Sequence, residues 1–394
     1  MVILPKVRGF ICTTAHPVGC EANVRAQIDY VRSQPKTQGA KKVLVVGASM
    51  GYGLASRIAA AYSCGAATVG VIFDKPGTET KPGSAGWYNT AAFEKIAAED
   101  GLYAKTVNGD AYSKAVKDQV IDLIKKDLGK IDLLIYSMAA PRRTMADGTV
   151  YSSVLKTTGG PFTNKTIDLR TKEITEVTIP PATDEEVLAT VKVMGGEDWM
   201  DWIDALKAAD AIEDHAVTLA YSYIGPELTH AVYMDGSIGK AKDHLFATSK
   251  AICEKYPDIK ANISVNKALV TQSSAAIPVV PLYISILFKV MKEKGVHEGC
   301  IEQMYRMLHD SVYGNQGALD AEGRIRMDDR EMEPDIQTRV SDIWNRISDE
   351  TLKTDADIDG YWEDFYKLFG FGLPDVDYDA DVSCVVPIPS MIEE

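Results

Sequence analysis

The chain has 394 residues and a formal net charge of −14. This acidity disfavours nucleic acid as a partner, because binding to a phosphate backbone requires a basic face. Apolar residues make up 46% of the chain and charged residues 25%, as in an ordinary globular protein, and no run approaches the roughly 20 apolar residues of a membrane span.

The cysteines and histidines are scattered along the chain. Six cysteines include no C-x-x-C pair, which predicts free thiols in a reducing compartment. Six histidines form no H-x3-H cluster, so we expect no metal site. Because the chain also opens without the features of a secretory signal, we expect a cytoplasmic protein, or a mitochondrial matrix protein if the source is eukaryotic.

The segment before residue 41 does not resemble the usual start of a nucleotide-binding domain. We expect a short strand at 10–12, a turn at 16–20 and a helix at 19–32. His16, in that turn, is interpreted as a structural histidine rather than a catalytic one.

Residues 41–56 combine a strand, a glycine turn and a helix. The apolar run 42–46 predicts a buried strand, and three glycines follow it before a helical pattern begins. Glycine lets the backbone approach a phosphate, and the new helix presents unpaired N–H groups and a positive dipole end. We therefore predict a diphosphate-binding turn, with a glycine turn that holds no ligand as the alternative. The residues expected to bind the cofactor there are Gly47, Ala48, Ser49, Met50, Gly51, Tyr52 and Gly53.

A second buried strand is predicted at 67–73, and it ends at Asp74. An acidic residue at this point of a dinucleotide-binding fold accepts hydrogen bonds from the adenosine ribose hydroxyls and repels a 2′-phosphate. Phe73 and Asp74 are therefore expected to bind the cofactor, and NADH is predicted over NADPH. The alternative is a solvated aspartate in a loop.

The pattern of alternating strands and helices then continues. After a loop at 75–87 we expect a helix at 90–100, a strand at 103–107, a helix at 114–128 and a strand at 131–136. This order predicts a Rossmann-type doubly wound parallel sheet. Ligands bind at the carboxyl ends of such strands.

Two further cofactor contacts are predicted at these strand ends. Asp110, beside Ala111, could bind the adenine amino group or could cap the helix that follows Ser113; the two alternatives remain open. Small residues after the fourth strand allow a ribose to approach, so Met138 and Ala139 are expected to bind the cofactor.

The alternation breaks over residues 144–190, where Thr- and Val-rich runs predict inserted β-hairpins. A helix at 184–194 and an aromatic helix follow. Trp199 and Trp202 on the aromatic helix are interpreted as core residues. A fifth strand is predicted at 216–221.

A tyrosine and two lysines follow this fifth strand. In short-chain dehydrogenases/reductases a tyrosine donates to the substrate oxygen, and a lysine binds the nicotinamide ribose and favours the phenolate. Tyr233 lacks the ordinary Tyr-x3-Lys spacing because residue 237 is serine. Lys240 gives Tyr-x6-Lys and Lys242 gives Tyr-x8-Lys. Residues two apart on a helix lie on different faces, so only one of these lysines can reach a cofactor.

Several segments resemble the trans-2-enoyl-CoA reductase family, also called FabV-type enoyl-ACP reductases. They include Val-Gly-Ala-Ser-Met-Gly-Tyr-Gly (46–53), Ala-Gly-Trp-Tyr-Asn (85–89), Ala-Ala-Pro-Arg-Arg (139–143), Lys-Val-Met-Gly-Gly-Glu-Asp-Trp (192–199), Ala-Tyr-Ser-Tyr-Ile-Gly (220–225) and Ser-Val-Asn-Lys-Ala-Leu-Val-Thr (264–271). The resemblance extends through 277–283 and 290–303, nearly from end to end.

The resemblance implies Tyr-x8-Lys, with Tyr233 as proton donor, Lys242 as ribose-binding lysine and Tyr223 as a substrate contact. It implies NADH-dependent reduction of the trans-2 double bond of enoyl thioesters, short-chain enoyl-CoA such as crotonyl-CoA or enoyl-ACP, in fatty acid synthesis. The alternatives are a ketoacyl or carbonyl reductase of the same superfamily and a non-catalytic NAD-sensing or scaffold protein. Arg142 and Arg143 could meet a phosphate of either carrier or solvent. A monomer and a homodimer are both compatible with the resemblance.

The remaining chain is expected to complete the site. Leu269, Val270 and Thr271, after a sixth strand at 261–265, should meet the nicotinamide carboxamide. The apolar segment 275–291 is predicted to be a buried helix that also lines an acyl channel.

We expect one large domain over 1–394, with a core at about 41–290 that contains the hairpin insertion at about 144–190 and a helical C-terminal extension at about 291–394. Within that extension, a hairpin-like segment is predicted at 320–329. A tail with little structure is expected from 365 onward.

Overall fold

The computed structural model describes residues 1–9, 11–168, 171–314, 317 and 319–391. Its strands in chain order are β1 (Val7–Arg8), β2 (Ile11–Cys12), β3 (Lys42–Val46), β4 (Ala67–Ile72), β5 (Ala104–Asn108), β6 (Ile131–Tyr136), β7 (Arg142–Thr144), β8 (Val150–Ser152), β9 (Phe162–Asp168), β10 (Glu173–Ile179), β11 (Ile212–Ser222), β12 (Lys260–Val265) and β13 (Ile325–Arg326). Its helices are α1 (Pro17–Ser33), α2 (Gly51–Cys64), α3 (Ala85–Glu99), α4 (Lys114–Asp127), α5 (Asp184–Met194), α6 (Glu197–Ala208), α7 (Glu227–His230), α8 (Ser237–Lys255), α9 (Val280–Lys294), α10 (Cys300–Arg306), α11 (Pro334–Arg346), α12 (Leu352–Asp355) and α13 (Ile358–Lys367).

A seven-stranded sheet forms the centre of the molecule, in the order β13-β12-β11-β6-β3-β4-β5. All of its neighbouring strands are parallel. The chain moves outward from β3 through β4 to β5 and then crosses back to β6. Val46, at the end of β3, therefore lies between Val71 of β4 and Tyr136 of β6. This reversal creates a crevice at the carboxyl ends of β3 and β6, and the predicted doubly wound sheet is confirmed.

Side chains that alternate along each central strand fill two cores. Val43 and Val45 of β3 face a core that also contains residues of α1, α2, α3 and α9. Leu44 and Val46 face the opposite core, which contains residues of α4, α6 and α8. Because helices cover both faces, the strand is apolar along its whole length. The helix α6 places Trp199 and Trp202 in the second core, fully buried as predicted.

The predicted insertion consists of two antiparallel strand pairs. β7 pairs with β8, and β9 pairs with β10 from Phe162 opposite Ile179 to Asp168 opposite Glu173. The expectation of hairpins between residues 144 and 190 is confirmed for β9 and β10, whereas the first pair begins slightly earlier, at Arg142. Among the described helices, none is both long and apolar enough to cross a membrane.

Two helices begin earlier than the sequence predicts. Residues 17–20 belong to α1 rather than to a turn, because His16 caps this helix: its Nδ1 accepts a hydrogen bond from the Gly19 N–H at 3.1 Å. The helix α3 begins at Ala85 instead of residue 90. Trp87 in its first turn donates to the Val386 carbonyl at 2.7 Å, a contact with the far end of the chain that local sequence does not encode.

The C-terminal part of the chain contains more structure than predicted. Ile325 and Arg326 in the hairpin-like segment pair in parallel with Ser264 and Val265 of β12 and extend the central sheet. The tail from residue 365 begins inside α13, and the Cys384 backbone carbonyl accepts a hydrogen bond from the Tyr88 hydroxyl. The short strand predicted at 10–12 is present at Ile11–Cys12, with Phe10 outside the described residues, as are residues 392–394. The proposed domain boundaries stay a prediction.

Arg57 on α2 and Glu94 on α3 form a buried charged pair beneath β4 and β5. Their closest nitrogen and oxygen are 3.8 Å apart, and both side chains are essentially inaccessible. Arg57 donates to the Thr106 hydroxyl at 2.9 Å, and burial lowers the pKa of Arg57 to about 10. Glu94 accepts from the N–H of Ser390 at 2.9 Å. The pair therefore joins two helices, the sheet and the C-terminal segment.

We expect Glu94→Gln to lower the free energy of unfolding by about 3 kcal/mol or more, because it leaves the buried guanidinium without its counter-charge. Urea unfolding followed by circular dichroism measures this change. Glu99→Gln, an exposed site on the same helix, is the control and should shift the value by about 0.5 kcal/mol at most. Equal effects of the two substitutions would contradict the assignment.

Candidate active site

A cavity of about 820 Å³ opens at the carboxyl ends of the parallel strands. It is lined by most of the residues predicted to bind cofactor or substrate: Gly47, Ser49, Met50, Gly51, Tyr52, Phe73, Asp74, Asp110, Ala111, Met138, Ala139, Tyr223, Tyr233, Lys242, Leu269 and Thr271. Ala48, Gly53 and Val270 are buried and are not among its lining residues. The fold therefore brings most of the predicted residues together at one edge of the sheet.

The glycine turn packs too closely for larger residues. Gly47 has a φ of +84°, and a Cβ on it would lie 2.2 Å from the Ser137 carbonyl oxygen. A Cβ on Gly53 would lie 1.9 Å from the Gly47 carbonyl oxygen. Gly53 therefore packs the helix against the turn rather than lining the cavity. Met50 precedes α2 without capping it through its side chain, so the first N–H groups of the helix remain available to an anion. This cradle fits a diphosphate.

Asp74 lies at the cavity wall just after β4. Its carboxylate accepts a hydrogen bond from the Ser84 hydroxyl at 2.8 Å. Burial raises the pKa of Asp74, while hydrogen bonds from Ser49 and Ser84 oppose that change. The Asn108 side chain fixes the Asp74 backbone through reciprocal hydrogen bonds of 2.9 and 3.0 Å. Neighbouring Phe73 is 80% exposed at the rim.

Asp110 forms a turn beside the cavity. Its carboxylate accepts a hydrogen bond from the Tyr112 N–H at 3.0 Å. Ser113, not Asp110, caps α4, because its hydroxyl accepts from the Val116 N–H at 3.2 Å. The alternative in which Asp110 caps this helix is therefore wrong, whereas the contact of Asp110 with adenine stays a prediction. The adjacent Ala111 carbonyl accepts from buried Lys117 at 3.0 Å.

The two arginines after β6 have different environments. Arg143 is buried and donates to the Lys192 carbonyl at 3.0 Å and to Asp201 at 3.2 Å. Its guanidinium is thus engaged within the protein. The predicted contact of Arg143 with a phosphate or with solvent is therefore wrong. Arg142 is exposed and lines the cavity.

Lys242 faces the cavity and Lys240 faces away from it. Lys242 Nζ donates to the Tyr221 carbonyl at 2.9 Å, and burial lowers the pKa of Lys242 to about 8. The Lys240 side chain is 49% exposed and lies 3.7 Å from Asp243. Lys242 lines the cavity and Lys240 does not, so the two lysines face different directions, as their spacing on one helix predicts.

Two phenols lie side by side in the same cavity as this lysine. The rings of Tyr223 and Tyr233 meet edge to face with centroids 4.8 Å apart, and burial raises the pKa of each. The Tyr223 hydroxyl donates to Glu331 at 3.0 Å. The Tyr233 hydroxyl makes no hydrogen bond with any residue that the structure describes. Its proton is therefore available to a group inside the cavity.

The loop after β12 forms another wall. Thr271 and Ser274 exchange hydrogen bonds: the Thr271 N–H donates to Ser274 Oγ at 2.9 Å, and the Ser274 N–H donates to Thr271 Oγ1 at 3.0 Å. Ser274 Oγ also donates to the Leu269 carbonyl at 2.6 Å. These contacts fix the loop beside the glycine turn, where Thr271 Cγ2 lies 3.7 Å from the position of a Cβ on Gly51.

An apolar wall and several polar residues complete the cavity. Ile277, Val280 and Ile284 come from the segment predicted to be both a buried helix and a channel lining. The sequence reasoning missed Asn266 and Lys267, which also line the cavity. Asn266 Nδ2 is buried without a hydrogen-bond partner among the described residues. Their position directly after β12 was a signal that could have identified them, because strand ends form such sites.

Family models match almost the whole chain. "Trans-2-enoyl-CoA reductase catalytic region" matches residues 81–313 and "NAD(P)H binding domain of trans-2-enoyl-CoA reductase" matches residues 2–79. "Enoyl reductase FAD binding domain" matches residues 319–382. Of the described residues in that last range, Leu368 alone lines the cavity. The described part of this region therefore builds no flavin site at the cavity.

Curated relatives are similar over their full lengths. The trans-2-enoyl-CoA reductase [NADH] of Ruminiclostridium cellulolyticum is 57% identical, covering 99% of this chain and 100% of its own. The enoyl-[acyl-carrier-protein] reductase [NADH] of Flavobacterium johnsoniae is 55% identical with the same coverage.

Solved structures share the fold. The trans-2-enoyl-CoA reductase of Clostridium acetobutulicum in complex with NADH is 44% identical with a TM-score of 0.95, covering 98% of this chain and 100% of its own. The Treponema denticola enzyme in complex with NAD is 49% identical with a TM-score of 0.93, covering 97% and 98%.

The position of Asp74 gives a test of dinucleotide selectivity. We expect the wild type to bind NADH more tightly than NADPH, and Asp74→Ala to weaken NADH binding by about tenfold because a charged hydrogen-bond acceptor is lost. The same substitution should improve NADPH binding relative to NADH by removing a negative charge. Fluorescence titration measures both affinities. Glu79→Ala, which removes an exposed carboxylate from the same loop, should leave the ratio unchanged.

Proposed function

This chain belongs to the trans-2-enoyl-CoA reductase family, and on that basis we propose that it reduces the trans-2 double bond of enoyl thioesters with NADH. The observation that carries the proposal is the convergence of the glycine turn, Tyr233 and Lys242 on one cavity. When bound, NADH supplies the hydride that adds to the β carbon of the substrate. The names of the relatives agree with this reaction and this cofactor, which supports a role in fatty acid synthesis.

The proposed cofactor contacts follow the strand ends across the sheet. The turn at 47–53 and the N-terminus of α2 would hold the diphosphate, and Asp74 would accept from the adenosine ribose. Asp110 and Ala111 lie on the adenine side. Met138, Ala139 and the loop 269–271 lie on the nicotinamide side. The cradle at Gly47, which a Cβ would fill, supports this assignment.

Tyr233 is the proposed proton donor. Negative charge develops on the thioester oxygen as the β carbon receives hydride. A hydrogen bond from the phenol strengthens as that charge grows, so it stabilises the transition state more than the ground state. The free hydroxyl of Tyr233 supports this role, because its proton is not committed to another protein group. Tyr223, beside it, would contact the substrate.

Lys242 is the proposed ribose-binding residue. Its ammonium would donate to the nicotinamide ribose and would favour the Tyr233 phenolate through its positive charge. Burial at the cavity wall supports both roles, since a charge acts more strongly where water is excluded. The exposed Lys240, two residues earlier, has no comparable position.

The acyl chain is proposed to lie along Ile277, Val280 and Ile284. Short-chain enoyl-CoA such as crotonyl-CoA and enoyl-ACP are the proposed substrates, and relatives named for each carrier support both. Steady-state rates with crotonyl-CoA, a long-chain enoyl-CoA and enoyl-ACP would establish the carrier and the chain length. Acetoacetyl-CoA serves as the comparison substrate, and faster reduction of that ketone would contradict the proposal.

We propose a cytoplasmic enzyme that acts as a monomer or a homodimer. The six cysteines are unpaired, which supports a reducing compartment. Light scattering of the purified protein distinguishes the two assemblies.

Replacing the Tyr233 hydroxyl should remove the proton donor and leave the fold intact. We expect Tyr233→Phe to lower kcat for crotonyl-CoA by about 100-fold or more, the scale of one lost oxyanion donor. The NADH affinity and the melting temperature should stay close to wild type, since the ring still packs on Tyr223. Turnover is followed by NADH absorbance. Wild-type turnover in this variant would falsify the proposed mechanism.

The charge on Lys242 should control NADH binding. Because burial lowers the pKa of Lys242 to about 8, the ammonium loses its proton as the pH rises through that value, and NADH affinity should fall. At neutral pH, Lys242→Met should weaken NADH binding by about tenfold through loss of a charged hydrogen bond.

As the pH rises above 8, the NADH affinity of Lys242→Met should fall less than that of the wild type, because the variant has no ammonium to lose its proton. Lys240→Met is the matched control and should retain wild-type NADH affinity at each pH. Fluorescence titrations on both sides of pH 8 provide the measurement. A Lys240→Met variant as defective as Lys242→Met would reverse the assignment.

A further inference from the structure

Glu331 is a fully buried carboxylate next to the cavity, outside the residues that line it. Three donors converge on it. The hydroxyls of Tyr223 and Tyr283 donate to Oε1 at 3.0 and 2.6 Å, and the Ala268 N–H donates to Oε2 at 2.7 Å. An ionised carboxylate accepts hydrogen bonds and has none to donate, so this arrangement suits the charged form.

The charge of a buried lysine also acts on this carboxylate. Lys267 is 2% exposed, and its Nζ donates to the Ala268 carbonyl at 3.0 Å. Burial raises the pKa of Glu331, and the positive charge of Lys267 opposes that change. Both oxygens of Glu331 also accept hydrogen bonds, which a buried charge requires.

The contact with Glu331 determines what Tyr223 offers to the cavity. A phenol carries one hydroxyl proton, and Tyr223 uses that proton in its hydrogen bond to Glu331. Tyr223 therefore has no second proton to donate to a group in the cavity. Tyr233, 4.8 Å away between ring centroids, has no such acceptor among the described residues. The two neighbouring phenols are thus made chemically different by one carboxylate.

The second oxygen of Glu331 acts on a different part of the cavity. It holds the N–H of Ala268, the residue directly before Leu269. The preceding carbonyl, that of Lys267, accepts from the Tyr52 hydroxyl at 2.6 Å. The start of the loop that forms the nicotinamide side of the proposed site is therefore fixed to the same carboxylate as Tyr223.

We propose that Glu331 is a positioning residue that holds the Tyr223 hydroxyl in a hydrogen bond, so that Tyr233 is the phenol of the pair that donates to the thioester oxygen. Glu331 acts through Tyr223 and does not touch the substrate. This inference rests on the proposed enoyl thioester reductase function.

Glu331→Gln tests the inference. The side-chain amide keeps the size of the carboxylate, but one of its two polar atoms donates, so it cannot accept all three hydrogen bonds. We expect kcat with crotonyl-CoA and NADH to fall by about tenfold or more, the effect of losing a charged hydrogen bond. The KM for crotonyl-CoA and the NADH affinity should change by about threefold or less.

A double-mutant cycle with Tyr223→Phe separates positioning from general damage. If Glu331 acts through Tyr223, Glu331→Gln should lower kcat by only about threefold or less once the phenol is absent. Independent, multiplicative effects of the two substitutions would overturn the proposal, as would a wild-type kcat in Glu331→Gln. If Glu331→Gln does not fold, Glu331→Asp completes the same cycle under the same criterion.

Tyr283→Phe is the matched control. It removes the other hydroxyl from the same carboxylate oxygen, and Tyr283 is not among the residues that line the cavity. We expect a lower melting temperature and a kcat within about threefold of wild type. A loss of kcat equal to that of Glu331→Gln would assign Glu331 a purely structural role. If the wild type fails to reduce crotonyl-CoA, the proposed function itself is wrong. If the wild type is active but the effects of Glu331→Gln and Tyr223→Phe multiply independently, only the role of Glu331 is wrong.

Discussion

Close backbone packing at the glycine turn fixes the geometry around which the site is built. Gly47 lies against the Ser137 carbonyl after β6, and Gly53 lies against the Gly47 carbonyl. These contacts leave no space for a Cβ at either position, so the strand, the turn and α2 pack as one unit. The two halves of the sheet meet at β3 and β6. The unit therefore places a helix N-terminus at the crevice beyond the carboxyl ends of these two strands. The other proposed cofactor contacts are arranged around this point.

Burial then gives the ionisable groups of the cavity their chemical character. Lys242 and Lys267 are both removed from water, and the pKa of each is lowered to about 8. The carboxylates of Asp74 and Glu331 have pKa values raised by the same cause. In such surroundings a hydrogen bond or a nearby charge has more effect than at the surface. A single fixed acceptor, Glu331, can thus determine which of the two phenols has a hydroxyl proton available for the substrate.

Segments far apart in sequence build the walls of the site together. The C-terminal region supplies the seventh strand of the sheet, at Ile325–Arg326, and the carboxylate of Glu331. The last described residues bind Glu94 and Trp87 on the opposite side of the fold. Similarity to relatives over the full chain is consistent with this arrangement, since no single segment contains the complete cavity.

Local sequence patterns were enough to predict the parallel sheet, the glycine turn and the separation of Lys240 from Lys242, because each follows from the periodicity or the order of neighbouring elements. The choice of Lys242 as partner of Tyr233 came from family resemblance, and the structure places that lysine at the cavity. The folded structure was needed to show that Ile325 joins the sheet, that Arg143 is engaged in buried contacts and that Glu331 accepts a hydrogen bond from Tyr223. Their partners lie dozens of residues away or more, and local patterns contain no information about such pairing. A hydrogen bond or ion pair across the fold is set by how the finished elements pack, so it is visible only once the chain has folded.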